Sequence, residues 1–265
     1  MAALNEITTT QLSRRIGTPD CQIIIDVRQD DDFALDPRVI PTTTRHPHSD
    51  IESLAPTLIG KNVVITCHKG LKLSQGAAAV LRLHGITTET LAGGHLAWVA
   101  AGLPLIPTNL TPNRNSLWVT RHRPKIDRIA CPWLIRRFID PTARFLFVAA
   151  SQVNAVAEKF DAIAFDVPDC DWTHKDGECT FDAMIKGFGL DLPALNHVAR
   201  IVRAADTDTL AAEPEAAGLL ALSLGVSRMY RDDLEQLEQG LHLYDALYRW
   251  ARDATGETHI WEDAK

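Results

Sequence analysis

Residues 63–81 read VVITCHKGLKLSQGAAAVL, and this stretch restricts the fold more than any other part of the chain. Val63, Val64, Ile65 and Thr66 form a β-branched run of the kind that fills a buried strand. An Ala-rich segment of high helix propensity opens at Ser74 or Gln75 and continues to His84, where Gly85 stops it. A tight loop joins the two, and Cys67 is its first residue. A side chain placed there faces backbone N–H groups and a helix N-terminus, an arrangement that favours an anion. Lys69 and Lys72 add positive charge. A buried structural cysteine at a strand end is the competing reading of the same loop.

Short apolar strands and helices alternate around this unit. Residues 5–16 carry threonines suited to an N-cap and end before Gly17, which predicts a short helix. Cys21–Val27 reads as a strand, Ile51–Leu58 as a weak helix and Glu89–Leu91 as a further strand. Asp30 to Arg45 is acidic, then Thr- and Pro-rich, and reads as loop. Such alternation predicts an α/β fold, with a parallel sheet covered by helices on both faces. A ligand then belongs beyond the carboxyl ends of the strands, where Cys67 lies.

Three pieces together, IIIDVR (Ile23–Arg28), the Cys67 loop and LAGGHLAWVAAGLP (Leu91–Pro104), resemble the rhodanese family of sulfurtransferases over about the first 105 residues. The resemblance implies that Cys67 carries sulfane sulfur as a persulfide and passes it from a small-molecule donor to a thiol or cyanide-like acceptor. No cofactor is required for that transfer. His68, Lys69, Gly70, Leu71 and Lys72 would form the substrate loop, and Asp26 and Arg28 match the family's Asp-x-Arg that supports it. The family has Arg where Lys72 stands. Related phosphatases carry Arg one position later, where this chain has Leu73. The family's Gly-His-Ile-Pro-Gly-Ala stretch also departs, to Arg38-Val39-Ile40-Pro41-Thr42-Thr43. Lysine is a point charge rather than a planar bidentate donor, so a weaker grip on a thiosulfate-like oxyanion, or a different donor, is expected.

A length of 265 residues predicts one large or two modest domains. Leu105–Asn115 is rich in Pro and Asn without periodicity, which sets the expected division at residues 1–107 and 116–265, with 108–115 as linker. A net charge of −7 argues against a general polyanion binder. Five scattered cysteines, no charged-then-apolar leader and no apolar run near membrane length point to free thiols, a cytoplasmic location and no membrane partner.

The second half is expected to be a mostly helical α+β unit. A strand-like LWVT precedes RHRPKIDRIACPWLIRRFIDP, in which Lys125–Ile139 suits a helix with Pro124 before it and Pro141 after. Asp127 and Cys131 share one face of it. Six Lys/Arg between Arg121 and Arg137 face one acidic residue, which reads either as a solvated basic face or as an oxyanion or nucleic-acid contact. Ala143–Val148 and Ala162–Val167 read as strands around a helix at Gln152–Phe160. The polar stretch Asp166–Asp182 holds Cys170, His174 and Cys179 at a spacing that fits no standard zinc motif. Leu192–Ala205, Pro214–Tyr230 and Asp232–Ala254 read as helices with apolar core stripes.

WVTRHRPKIDRIACPWLIRRFIDP, the His174 to Cys179-Thr-Phe segment and ARIVRAADTD with PEAAGLLALSLG resemble the C-terminal domain of the chromate-resistance protein B family. This implies an association with chromate or a related oxyanion, and less with DNA. Arg121, Arg123, Lys125 and Arg128 are the oxyanion candidates. A divalent metal is expected on His174 and Asp206 with Cys179 or Glu215, drawn from separate segments because no single loop offers four ligands. Three functions follow: a sulfurtransferase fused to a chromate-resistance domain, a chromate- or oxidant-responsive regulator with an inactive or weak rhodanese domain, or an interaction protein. Oligomeric state is not legible in the sequence.

Overall fold

A computed structural model describes residues 5–112, 114–175 and 177–257. The first half contains β1 (Glu6–Ile7), α1 (Thr9–Arg15), β2 (Ile23–Asp26), α2 (Asp30–Leu35), β3 (Arg38–Val39), β4 (Thr44–Arg45), α3 (Ala55–Leu58), β5 (Asn62–Thr66), α4 (Lys72–Leu83), β6 (Thr87–Leu91), α5 (Gly94–Ala100) and β7 (Ile106–Pro107). Five strands form a parallel sheet in the order β1-β6-β5-β2-β4. Alternation along the strands divides their side chains between two cores. Ile24, Val64 and Leu91 face one cluster, while Ile25, Val63 and Ile65 face another with Ala77, Ala78 and Leu81 of α4.

Several local readings change in the structure. The segment 30–45 is not loop, because the Arg28 guanidinium donates to the carbonyls of Asp36 (2.9 Å) and Arg38 (2.7 Å) and β3 pairs antiparallel with the distant β7. Residues 5–16 begin with β1 before the helix, whose Thr8–Gln11 capping box fixes its start. Helix α4 starts at Lys72, ahead of the expected residues, because the Gln75 N–H closes its first turn on the Leu71 carbonyl (2.9 Å), which the Ser74 hydroxyl also reaches (3.0 Å).

The second half contains β8 (Leu117–Arg121), α6 (Asp127–Leu134), β9 (Arg144–Val148), α7 (Val153–Phe160), β10 (Ile163–Ala164), α8 (Thr180–Gly187), α9 (Pro193–Asp206), α10 (Ala216–Met229) and α11 (Asp233–Asp253). A parallel sheet in the order β10-β8-β9 is covered by these helices. The expected single helix over 125–139 is α6, which carries Pro132, followed by a π turn at Ile135–Ile139 that closes with the Asp140 N–H on the Ile135 carbonyl (2.8 Å). It is not a solvated basic helix. Ile129, Cys131, Trp133, Leu134 and Ile135 are all buried, and Trp133 packs against the rings of Phe138, Phe181, Tyr244 and Tyr248.

One buried apolar cluster joins Ile7, Leu12, Leu91 and Trp98 to Trp118, Trp133, Phe138 and Tyr248. Gly17 permits close approach there, since a Cβ at its φ of +83° would strike the rings of Phe138 and Tyr248. The Thr42 N–H donates to the Phe138 carbonyl (2.9 Å), and Arg114 donates to Thr44 Oγ1 (2.6 Å) and the Thr42 carbonyl (2.9 Å). Among the described residues no helix is long and apolar enough to cross a membrane.

Candidate functional site

Cys67, His68, Lys69, Gly70 and Leu71 make the whole connection from β5 to α4 at the carboxyl edge of the parallel sheet. The Gly93-Gly94 segment clamps this loop from behind. His95 N–H donates to the Cys67 carbonyl (2.9 Å) and Leu96 N–H to the His68 carbonyl (3.1 Å). A Cβ on Gly94 would collide with the Cys67 carbonyl and the Gly70 nitrogen, and its φ of +60° also favours glycine. Cys67 is 4% exposed, and its thiol donates to Ser74 Oγ at 3.2 Å. An open cleft of about 380 Å³ is lined by Cys67, His68, Lys69, Leu71, Lys72 and Leu73, with Gln29 and Asp32 across from them. Among the described residues no side chain caps helix α4, so the N–H groups of its first turn face the cleft side as donors for an anion.

Asp26 and Arg28 act one step away from the loop. Arg28 Nε donates to Asp26 Oδ2 at 2.7 Å, and both side chains are buried. Asp36, whose carbonyl Arg28 holds, receives His95 Nε2 at 3.2 Å, and it is the His95 backbone that fixes Cys67. Arg38 beside Asp36 draws that carboxyl down to about 2. Burial, then the charge of Arg28, lowers the His95 imidazole. Ser74 and His95 were therefore missed by the motif reading. A serine seven residues after the cysteine was a usable signal only once the loop had been closed.

A second cluster forms where β8, α6, α9 and the 166–180 segment converge. His174 Nε2 lies 3.2 Å from Asp166 Oδ1, 3.4 Å from Asp206 Oδ2 and 3.5 Å from Asp127 Oδ2. Asp127 is 1% exposed and receives the N–H groups of Thr180 (2.8 Å) and Phe181 (3.0 Å), the first two residues of α8. That non-local cap converts the end of the polar stretch into a helix. Asp166 receives Arg121 Nη2 at 3.0 Å, Arg128 Nε at 3.2 Å and the Thr180 hydroxyl at 3.2 Å. Ile126 precedes Asp127 at φ +41°, a strained value for a β-branched residue. Tyr244 OH holds the Ile126 carbonyl at 2.8 Å, and Gln236 Nε2 holds that of Pro124. The Asp127 carboxylate, with Asp166 and Asp206, raises His174 to about 9 despite burial. Burial, then Asp127 and Asp166, raises Asp206 to about 6.

The sequence profile described as "ChrB, C-terminal domain" matches residues 118–251. The chain belongs to this family. Protein ChrB of Cupriavidus metallidurans is 31% identical over 162 residues, which is 60% of this chain and 47% of that protein. The chain thus spans about half the length of that curated relative. The N-terminal part is similar to rhodanese-like structures. A rhodanese-related protein from Thermoplasma volcanium is 21% identical, with 38% of this chain and 97% of that chain covered and a TM-score of 0.34. Thiosulfate sulfurtransferase from Pseudomonas aeruginosa is 30% identical, with 38% and 19% covered and a TM-score of 0.32.

Within the ChrB domain the predicted residues separate. His174 and Asp206 meet, together with Asp127 and Asp166, which the sequence reading did not include in the site. Arg121 and Arg128 meet at Asp166. Arg123 instead holds the end of α10, donating to the carbonyls of Ser227, Tyr230 and Arg231. Lys125 borders a narrow groove with Ser223, Val226 and Gln236. Cys179 does not join the cluster. It is fully buried, its thiol donates to Asp182 Oδ2 at 3.1 Å, and burial drives that thiol strongly upward. Glu215 lies elsewhere, at the start of α10 near His197 and Glu213.

Proposed function

We propose that this ChrB-family protein is a sulfurtransferase in which Cys67 carries sulfur as a persulfide. The observation that carries the reading is the position of Cys67 Sγ, in a strand–helix loop clamped by Gly93-Gly94 and opening on a cleft that Lys69 and Lys72 border. The Cys67 thiolate attacks the outer sulfur of a thiosulfate-like donor. A new S–S bond forms, the donor's own S–S bond breaks, and sulfite leaves with the electron pair. A thiolate or cyanide acceptor then attacks the outer sulfur and Cys67 departs as thiolate. Lys72 and the free N–H groups of the α4 first turn stabilise the departing anion. Ser74 stabilises the sulfur itself, because its hydroxyl can rotate from the Leu71 carbonyl to donate to a thiolate.

Sulfur transfer from thiosulfate to cyanide by the full chain and by Cys67→Ser tests the reading. Transfer lost in the variant supports it, and equal transfer by both removes it. Chromate resistance enters through the C-terminal domain, in which Arg121 and Arg128 converge at one half-open cluster. That convergence favours a second reading as an oxyanion-responsive regulator. Both arginines already neutralise Asp166, so an oxyanion must compete with a carboxylate for them. Of the other basic residues between 121 and 137, Arg123, Arg136 and Arg137 are bound by protein acceptors, which disfavours a nucleic-acid face. A salt titration against promoter DNA and unrelated DNA tests it, with affinity for the promoter that persists over the unrelated sequence supporting regulation and its absence removing it.

A further inference from the structure

We propose that the His174 cluster binds one divalent first-row cation, with His174 Nε2 and the carboxylates of Asp127 and Asp206 as ligands. The proposal is independent of the Cys67 chemistry. Its first support is valence. His174 Nε2 bears at most one hydrogen, yet carboxylate oxygens of three residues crowd within 3.2–3.5 Å of it. One N–H satisfies one of these oxygens. All three contacts are also longer than the ~2.7–2.9 Å of a charge-assisted hydrogen bond. The polar atoms surround a point that a cation would satisfy together.

Charge makes the same assignment. Asp166 is balanced from outside the cluster by Arg121 and Arg128 and bonded by Thr180, so it is an outer partner rather than a ligand. Asp127 and Asp206 then supply two negative charges, matching a divalent ion that takes the place of the His174 Nε2 proton. The Asp127 carboxylate is pre-oriented. Phe181 N–H and the Cys131 thiol fix its Oδ1, and Thr180 N–H fixes its Oδ2, which also faces His174 and keeps acceptor capacity for a cation. His174 and Asp206 have side chains 44% and 22% exposed, so the ion has an entry path and an open side for water or an anion. One imidazole with two carboxylates suits Mn²⁺ or Zn²⁺ rather than a soft ion such as Cu⁺, and the neighbouring sulfurs of Cys131 and Cys179 are hydrogen-bonded to Asp127 and Asp182.

The test is a Mn²⁺ titration of chelator-treated full-length protein, with free Mn²⁺ read by electron paramagnetic resonance. Mn²⁺ is the probe because thiolates, Cys67 included, compete for it poorly. Wild type should bind one equivalent and gain thermal stability on doing so. Asp206→Asn and His174→Gln should each weaken binding by about 100-fold or more, since losing even an outer partner costs roughly 10–100-fold. Both positions are partly exposed, and the melting temperature without metal shows that each variant is folded. His197→Gln tests the other His/Glu group, His197 with Glu213 and Glu215, in which Arg200 already occupies Glu213 at 2.7 Å. That variant should bind as wild type does. No saturable equivalent in wild type, undiminished binding in both cluster variants, or loss confined to His197→Gln would each overturn the assignment.

Discussion

Replacing Ser74 with Ala removes one oxygen from the Cys67 site and little else. Ser74 is fully buried, in the first turn of α4, and its Oγ accepts the Cys67 thiol at 3.2 Å while donating to the Leu71 carbonyl at 3.0 Å. In the thiol form the variant loses two hydrogen bonds, the weak one from the thiol and the one to the Leu71 carbonyl, about 1 kcal/mol together because that carbonyl keeps the Gln75 N–H. A thiolate loses more, because a hydrogen bond to a charged partner contributes about 1.5–3 kcal/mol. Only the difference between the two forms, about 0.5–2 kcal/mol, acts on the rate, so at about 1.4 kcal/mol per decade the second-order rate of persulfide formation from thiosulfate should fall by about 2- to 30-fold. Stopped-flow or quenched mass measurement under single-turnover conditions gives this rate, and a denaturant titration of the same sample gives stability. A rate equal to or above that of wild type would refute the role given to the hydroxyl.

Lys72→Arg should raise kcat/KM for thiosulfate by supplying a bidentate donor where the lysine supplies a point charge. An unchanged or lower value would show that the site is shaped for another donor. Gly94→Ala forces a Cβ against the Cys67 carbonyl and the Gly70 nitrogen at a positive φ, so it should cost stability by about 1–3 kcal/mol and cut persulfide formation with it. Chemical denaturation and the same mass assay would show this, and neutrality in both would contradict the clamp. Asp36 has a carboxyl lowered to about 2, chiefly by Arg38, so the folded state gains stability above the unfolded value of 3.8 and loses it as pH falls toward 2. Arg38 is about half exposed, and screening reduces the gain to about 1 kcal/mol. The advantage of wild type over Asp36→Asn in urea should therefore shrink as pH drops below 3.8, and a constant difference would contradict the ion pair.

Local chemistry made the first site readable. A β-branched run, a cysteine and an Ala-rich helix are contiguous, and Gly93-Gly94 lies in a motif that marks itself. Ser74 was hidden because a serine there reads as an N-cap, whereas its hydroxyl serves the thiol and the loop. In the second site type misled where topology decided. Cys179 looked like a ligand by residue type, yet its sulfur faces the interior. Asp127 looked like one acid on a basic helix, yet it caps α8 from across the domain. The basic residues seemed to form a solvated face because their partners, Asp166, Glu238 and Asp245, are distant in sequence. Asp166 became legible only when β10 aligned with β8 and placed it beside Arg121.

The most direct test of the sulfur-carrier assignment is intact mass after incubation with thiosulfate, followed by peptide mapping. Wild type should gain one sulfur atom on Cys67, releasable by cyanide or a small thiol. Cys131→Ser and Cys179→Ser should gain it as well, since both sulfurs are buried away from the cleft. Cys67→Ser should gain none. A wild-type mass that does not change, or an adduct that persists in Cys67→Ser, would contradict the assignment.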